Sequence, residues 1–88
     1  MKLNEGFVLR EIAGENLLIP VGGQAVKING VIALSPVAAE IWKALREHPE
    51  TDYALQKVLE LFDVDEDTAK KDIDEFITQM EQTGICEL

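Results

Sequence analysis

The order of elements in this sequence predicts an α+β fold of winged helix-turn-helix-like type, a three-stranded antiparallel sheet followed by three helices. Three observations carry the expectation. β-prone runs separated by glycine-containing gaps occupy the chain up to Leu34. From Ser35 onward, apolar residues recur at helical spacing in three stretches, each opened by a residue able to cap a helix. At 88 residues and 47% apolar composition, the chain suits one domain with a single core, and disorder is not expected despite a net charge of -9. Residues 1–88 are accordingly read as one unit without internal repeats or linkers.

Phe7 to Ile12 and Asn16 to Val21 form the first two runs, with Ala13-Gly14-Glu15 as the turn between them. Pro20 lacks an N–H and places its part of the second run at an edge or bulge. Gly22-Gly23 ends that run, Ala25 to Ile28 alternates, and Asn29-Gly30 precedes Val31 to Leu34. An Asn-Gly pair between apolar runs signals a hairpin because both residues accept positive φ, so Val31 to Leu34 is the expected third strand.

Ser35-Pro36 opens the first helix. The serine can cap, and proline at the first helical position loses only an N–H that would have no partner. Val37, Ala38, Ile41, Trp42 and Leu45 share one face, and His48-Pro49 ends the segment, since a residue before proline avoids helical geometry. Thr51 is the expected cap of the second helix, with Leu55, Val58, Leu59 and Phe62 as its stripe. Asp65 is the expected cap of the third, whose stripe is Ala69, Ile73, Phe76, Ile77 and Met80 and whose end is a left-handed Gly84. Ile85 and Leu88 are expected to return to the core.

Charge decides between uses of such a fold. Eleven of the seventeen acidic side chains fall between Thr51 and Leu88 against Lys57, Lys70 and Lys71, so this half carries about -8, whereas Met1 to Glu50 carries about -1. A recognition helix for DNA needs cations on its outer face. The third helix offers Asp72, Asp74, Glu75 and Glu81 against Lys70 and Lys71, which repels phosphate. The same charge argues against anionic lipid, and no run approaches the eighteen apolar residues of a membrane span. Nucleic acid and membrane are therefore not expected partners. The first residues lack the apolar run of a signal peptide and Cys86 is the only cysteine, which leads to an expectation of cytoplasmic residence.

Catalytic and metal chemistry find little support. One histidine, His48, and one cysteine, Cys86, do not make a metal site, and the only serine, Ser35, is engaged in capping rather than in a triad. Asp63, Asp65, Glu66 and Asp67 lack the central glycine and terminal glutamate of a calcium loop. Gly22-Gly23 is not followed by the lysine of a phosphate loop. Trp42 reads as a core anchor from its spacing. What remains is an open sheet edge beside a long amphipathic helix, a surface suited to an extended peptide that adds as a strand.

The segments Gly6-Phe7-Val8-Leu9-Arg10-Glu11-Ile12-Ala13-Gly14-Glu15, Leu18-Ile19-Pro20-Val21-Gly22, Asn29-Gly30-Val31-Ile32-Ala33-Leu34-Ser35 and Ala38-Ala39-Glu40-Ile41-Trp42-Lys43-Ala44-Leu45 are followed by Leu59-Glu60-Leu61-Phe62-Asp63-Val64-Asp65 and Asp72-Ile73-Asp74-Glu75-Phe76-Ile77. This ordered set resembles the PqqD family, named for pyrroloquinoline quinone biosynthesis protein D. The resemblance implies a RiPP recognition element: a non-catalytic peptide chaperone that binds the leader of a ribosomally made precursor peptide. Such a domain presents the leader to a modifying enzyme, often a radical S-adenosylmethionine enzyme, and needs no cofactor of its own. It also implies that the leader adds beside the third strand, at Val31, Ile32, Ala33 and Leu34, and packs on the third helix. Lys70, Ile73, Asp74 and Ile77 are the expected helix wall. Gly23 to Lys27 exceeds a minimal hairpin and reads as an extra arm or a homodimer contact. A winged-helix transcriptional regulator and a small enzyme subunit in quinone cofactor biosynthesis are the alternatives.

Overall fold

Residues 2–3, 5–22, 31–84 and 86–87 are described in the computed structural model. In chain order the elements are β1 (Lys2–Leu3), β2 (Phe7–Ile12), β3 (Glu15–Pro20), β4 (Ile32–Leu34), α1 (Pro36–Glu47), α2 (Thr51–Leu61), α3 (Glu66–Gln82) and β5 (Cys86–Glu87). β2, β3 and β4 form an antiparallel sheet in that order, and the three helices follow it. The expected α+β arrangement is therefore the observed one. Asn29-Gly30, the alternating Ala25 to Ile28, the Gly23 to Lys27 arm, Ile85 and Leu88 lie outside the described residues.

The β2–β3 turn is tighter than its sequence suggests. Ala13 and Gly14 both have positive φ, 53° and 80°, so two residues close the turn and Glu15 joins β3 opposite Ile12. Paired positive φ values match the right-handed twist of the flanking strands. A further antiparallel pair, β1 with β5, brings the two ends of the described chain together. Two-residue strands carry no periodicity by which sequence could announce them.

α1 begins as expected: Ser35 Oγ accepts a hydrogen bond from the Ala38 N–H at 3.1 Å, and Pro36 is the first helical residue. Asp65 caps α3 in the same way, accepting from the Thr68 N–H at 2.7 Å. That bond holds the Asp65 carboxyl below its ordinary value, because the backbone N–H of Thr68 stabilises the charged form. α2 departs from expectation. Its N-cap is Glu50, in extended conformation and without a side-chain bond, and Thr51 is already helical. The buried residues of α2 are Ala54 and Val58, while Leu59 is exposed. All five expected α3 residues are buried, and Gly84 follows the helix with φ 79°.

The core lies between the inner sheet face and the helices. Phe7, Leu18 and Leu34 enter from the sheet, Ile41, Trp42 and Leu45 from α1, Ala54 and Val58 from α2, and the α3 stripe closes it. Arg46 fastens the layers. Its Nη1 donates to the Phe7 carbonyl at 3.3 Å while its guanidinium lies 4.9 Å from the centre of the Trp42 ring. His48, at the C-cap of α1, meets the Tyr53 ring at a tilt of 58° with centroids 4.5 Å apart, and the Tyr53 hydroxyl donates to Glu47 at 2.7 Å. That bond to a carboxylate raises the tyrosine pKa.

Candidate peptide-binding site

β4 pairs on one side with β3, so among the described residues its other side is an open edge. The direction of each backbone group on that edge follows from the register. In an antiparallel pair, facing residues alternate between those that exchange hydrogen bonds and those whose N–H and C=O turn away. Val21 donates to the Gly6 carbonyl at 2.8 Å, continuing the β2–β3 ladder beyond Phe7–Pro20. Val21, Ile19 and Leu17 thus address β2, which leaves Asn16 and Leu18 to address β4. Their partners are Leu34 and Ile32. Ala33, opposite Leu17, therefore has both its N–H and its C=O directed to the open edge.

Side chains alternate in the opposite sense. Ile32 and Leu34 turn toward the helices, half-buried and buried, whereas Ala33 and its alternate neighbour Val31 are exposed on the outer face. A strand laid along this edge would thus meet backbone bonding groups at Ala33 and apolar side chains on its helix side.

Beside the end of β4 lies a hollow of about 250 Å³. Ser35, Val37, Ala38 and Ile41 line it from the start of α1, and Asp72, Glu75, Phe76 and Gln79 line it from α3. The floor is apolar and the α3 rim is acidic. Among the described residues, Asp72 and Glu75 form no ion pair.

The structure distributes the expected site residues between two places. Val31, Ile32, Ala33 and Leu34 stand together at the edge. Lys70, Ile73 and Asp74 instead line a second hollow of about 210 Å³ with Thr51, Asp52 and Leu55 of α2. Lys70 also pairs with Glu66, Nζ to Oε1 3.8 Å, along its own helix. Ile77 is buried in the core. At about 3.6 residues per turn, Asp72, Glu75 and Gln79 occupy the other flank of α3, the one that shares a hollow with the residues following β4. Periodicity identified the buried stripe but did not distinguish its two flanks.

Among the described residues, no group of three or more His, Cys, Asp or Glu is placed to hold a metal ion. No described helix is long and apolar enough to cross a membrane.

Residues 15–85 match the family described as coenzyme PQQ synthesis protein D (PqqD). The chain belongs to the PqqD family. No curated protein matches it in sequence. Among solved structures, this PqqD-family chain is similar to one described as TbiB1 in complex with the TbiA(beta) leader peptide. The two share 21% identity with a TM-score of 0.77, over 99% of this chain and 95% of that one. At this identity the likeness concerns the fold, and it extends over the sheet, all three helices and the paired ends.

Proposed function

We propose that this PqqD-family chain is a RiPP recognition element that captures the leader of a ribosomally made precursor peptide and delivers it to a modifying enzyme in the cytoplasm. The leader forms a fourth strand on β4, along Val31, Ile32, Ala33 and Leu34, and packs against α3. The observation that carries this reading is the outward-directed backbone pair of Ala33 beside a hollow that joins apolar side chains of α1 to the acids of α3. Main-chain bonding holds the peptide, and the hollow reads its alternate side chains. The α3 wall in this proposal is Asp72, Glu75, Phe76 and Gln79, in place of the flank bearing Lys70 and Asp74. The family and the leader complex of the structural relative support a peptide partner. A radical S-adenosylmethionine enzyme is the proposed recipient, and the chain itself has no catalytic part in the modification.

Charge separates this reading from DNA binding, because α3 presents carboxylates where a recognition helix presents lysine and arginine. Fluorescence anisotropy tests the choice with two probes: a labelled candidate leader peptide and a labelled DNA duplex at low salt. The expected result is saturable binding of the leader and none of the duplex. Tight binding of DNA without binding of the leader would overturn the proposal.

A further inference from the structure

The rim of the hollow beside β4 bears on which leaders fit, and the inference below rests on the capture reading. In either strand direction, the peptide residue abreast of Ala33 turns its side chain to the outer face, as Ala33 does. The residues on either side of it turn theirs toward the helices. The one abreast of Leu34 would lie next to Ser35, which lines the hollow. The hollow is lined there by Ala38, Ile41 and Phe76, with Asp72 and Glu75 on α3 beside them.

Asp72 and Glu75 are three residues apart on one helix, so their side chains are neighbours. They have no cation of their own among the described residues, and the helical half in which they sit carries a strong excess of negative charge. An apolar floor below an unpaired pair of carboxylates complements a side chain with an apolar stem and a cationic tip. We infer that the captured segment places an arginine or lysine abreast of Leu34, its stem on Ile41 and Phe76 and its charge between Asp72 and Glu75. Arginine is the better fit, since its planar fork can meet two carboxylates at once. This gives the chain a rule for choosing its leader: a basic residue one position from the residue that pairs with Ala33.

The test uses the full chain and a positional-scanning library of nine-residue peptides, acetylated and amidated so that no terminal charge intervenes. At low salt the wild-type chain is expected to favour Arg or Lys over Glu at one strand position by roughly tenfold or more, a preference that added salt erodes. The double variant Asp72→Lys, Glu75→Lys is expected to reverse it. Glu81→Lys, a charge change outside the hollow, should leave it in place. If the lysine pair impairs folding, Asp72→Asn with Glu75→Gln removes the charge while keeping the shape, and the preference should vanish. Peptide binding without charge preference at any position, or a preference unchanged in both double variants, overturns the inference and leaves strand addition standing. Failure of the wild-type chain to hold any peptide removes the capture reading, and the inference with it.

Discussion

Replacing Ala33 by proline should lower leader affinity by roughly ten- to a hundredfold while leaving a folded domain. The register places the Ala33 N–H on the open edge, so the sheet itself loses no hydrogen bond when proline removes that donor. The leader does lose one. Its carbonyl is left facing a ring, and an unsatisfied buried acceptor costs about 1–3 kcal/mol, which is the source of the expected fold-change. The constraint on φ adds a modest strain to β4. Ala33→Ser keeps the donor and should bind like the wild type, which separates loss of the N–H from a change of side chain. Anisotropy titration beside a thermal melt makes the comparison. A proline variant that melts normally and binds normally would mean that the leader does not bond to this edge.

Phe7→Ala should cost about 3–5 kcal/mol of stability, the usual range for removing a buried aromatic ring. Phe7 is fully buried on β2, and its carbonyl receives the Arg46 guanidinium that also covers Trp42. Deleting the ring opens a void where sheet and α1 meet and loosens the strand to which Arg46 is fastened. A domain of this length has roughly 4–13 kcal/mol in total, so the loss is a large share of it. At about 4–8 °C per kcal/mol for small domains, the midpoint should fall by more than ten degrees. Urea and thermal unfolding both report it. A loss under about 1 kcal/mol would show that the Phe7 site is not the junction of the two layers.

Capping chemistry and apolar spacing made most of the fold legible. Ser35-Pro36, Asp65 and Gly84 mark helix boundaries through bonds that involve only neighbouring residues, so the sequence around each contains the whole cause. The α3 stripe is legible for a similar reason, since five apolar residues at helical spacing have one way to be buried together. Thr51 misled because its hydroxyl suits a cap, yet the extended backbone of Glu50 already starts α2. Leu59 misled because periodicity gives the centre of a buried face but not its width, and Ala54 rather than Leu59 lies within it.

In the proposed site, the strand edge comes from the sequence and the choice of α3 flank from the packing. Val31 to Leu34 is an edge by composition and position. Which backbone groups of that edge face outward depends on the two-residue turn at Ala13-Gly14, because one more residue in the turn would shift the phase of the whole ladder. On α3, both flanks of the buried stripe carry acids, so no sequence pattern separates Lys70 and Asp74 from Asp72 and Glu75. The packing of neighbouring elements separates them: α2 lies along the first pair and the start of α1 along the second.

Amide hydrogen exchange at Ala33 is the most direct measure of strand addition. In the free chain this N–H points to the open edge and should exchange fast, while the amides of Ile32 and Leu34, bonded to β3, should be slow. With saturating leader the account predicts that Ala33 becomes protected and that Ile32 and Leu34 change little. An Ala33 amide that exchanges as fast in the complex as in the free chain would contradict it.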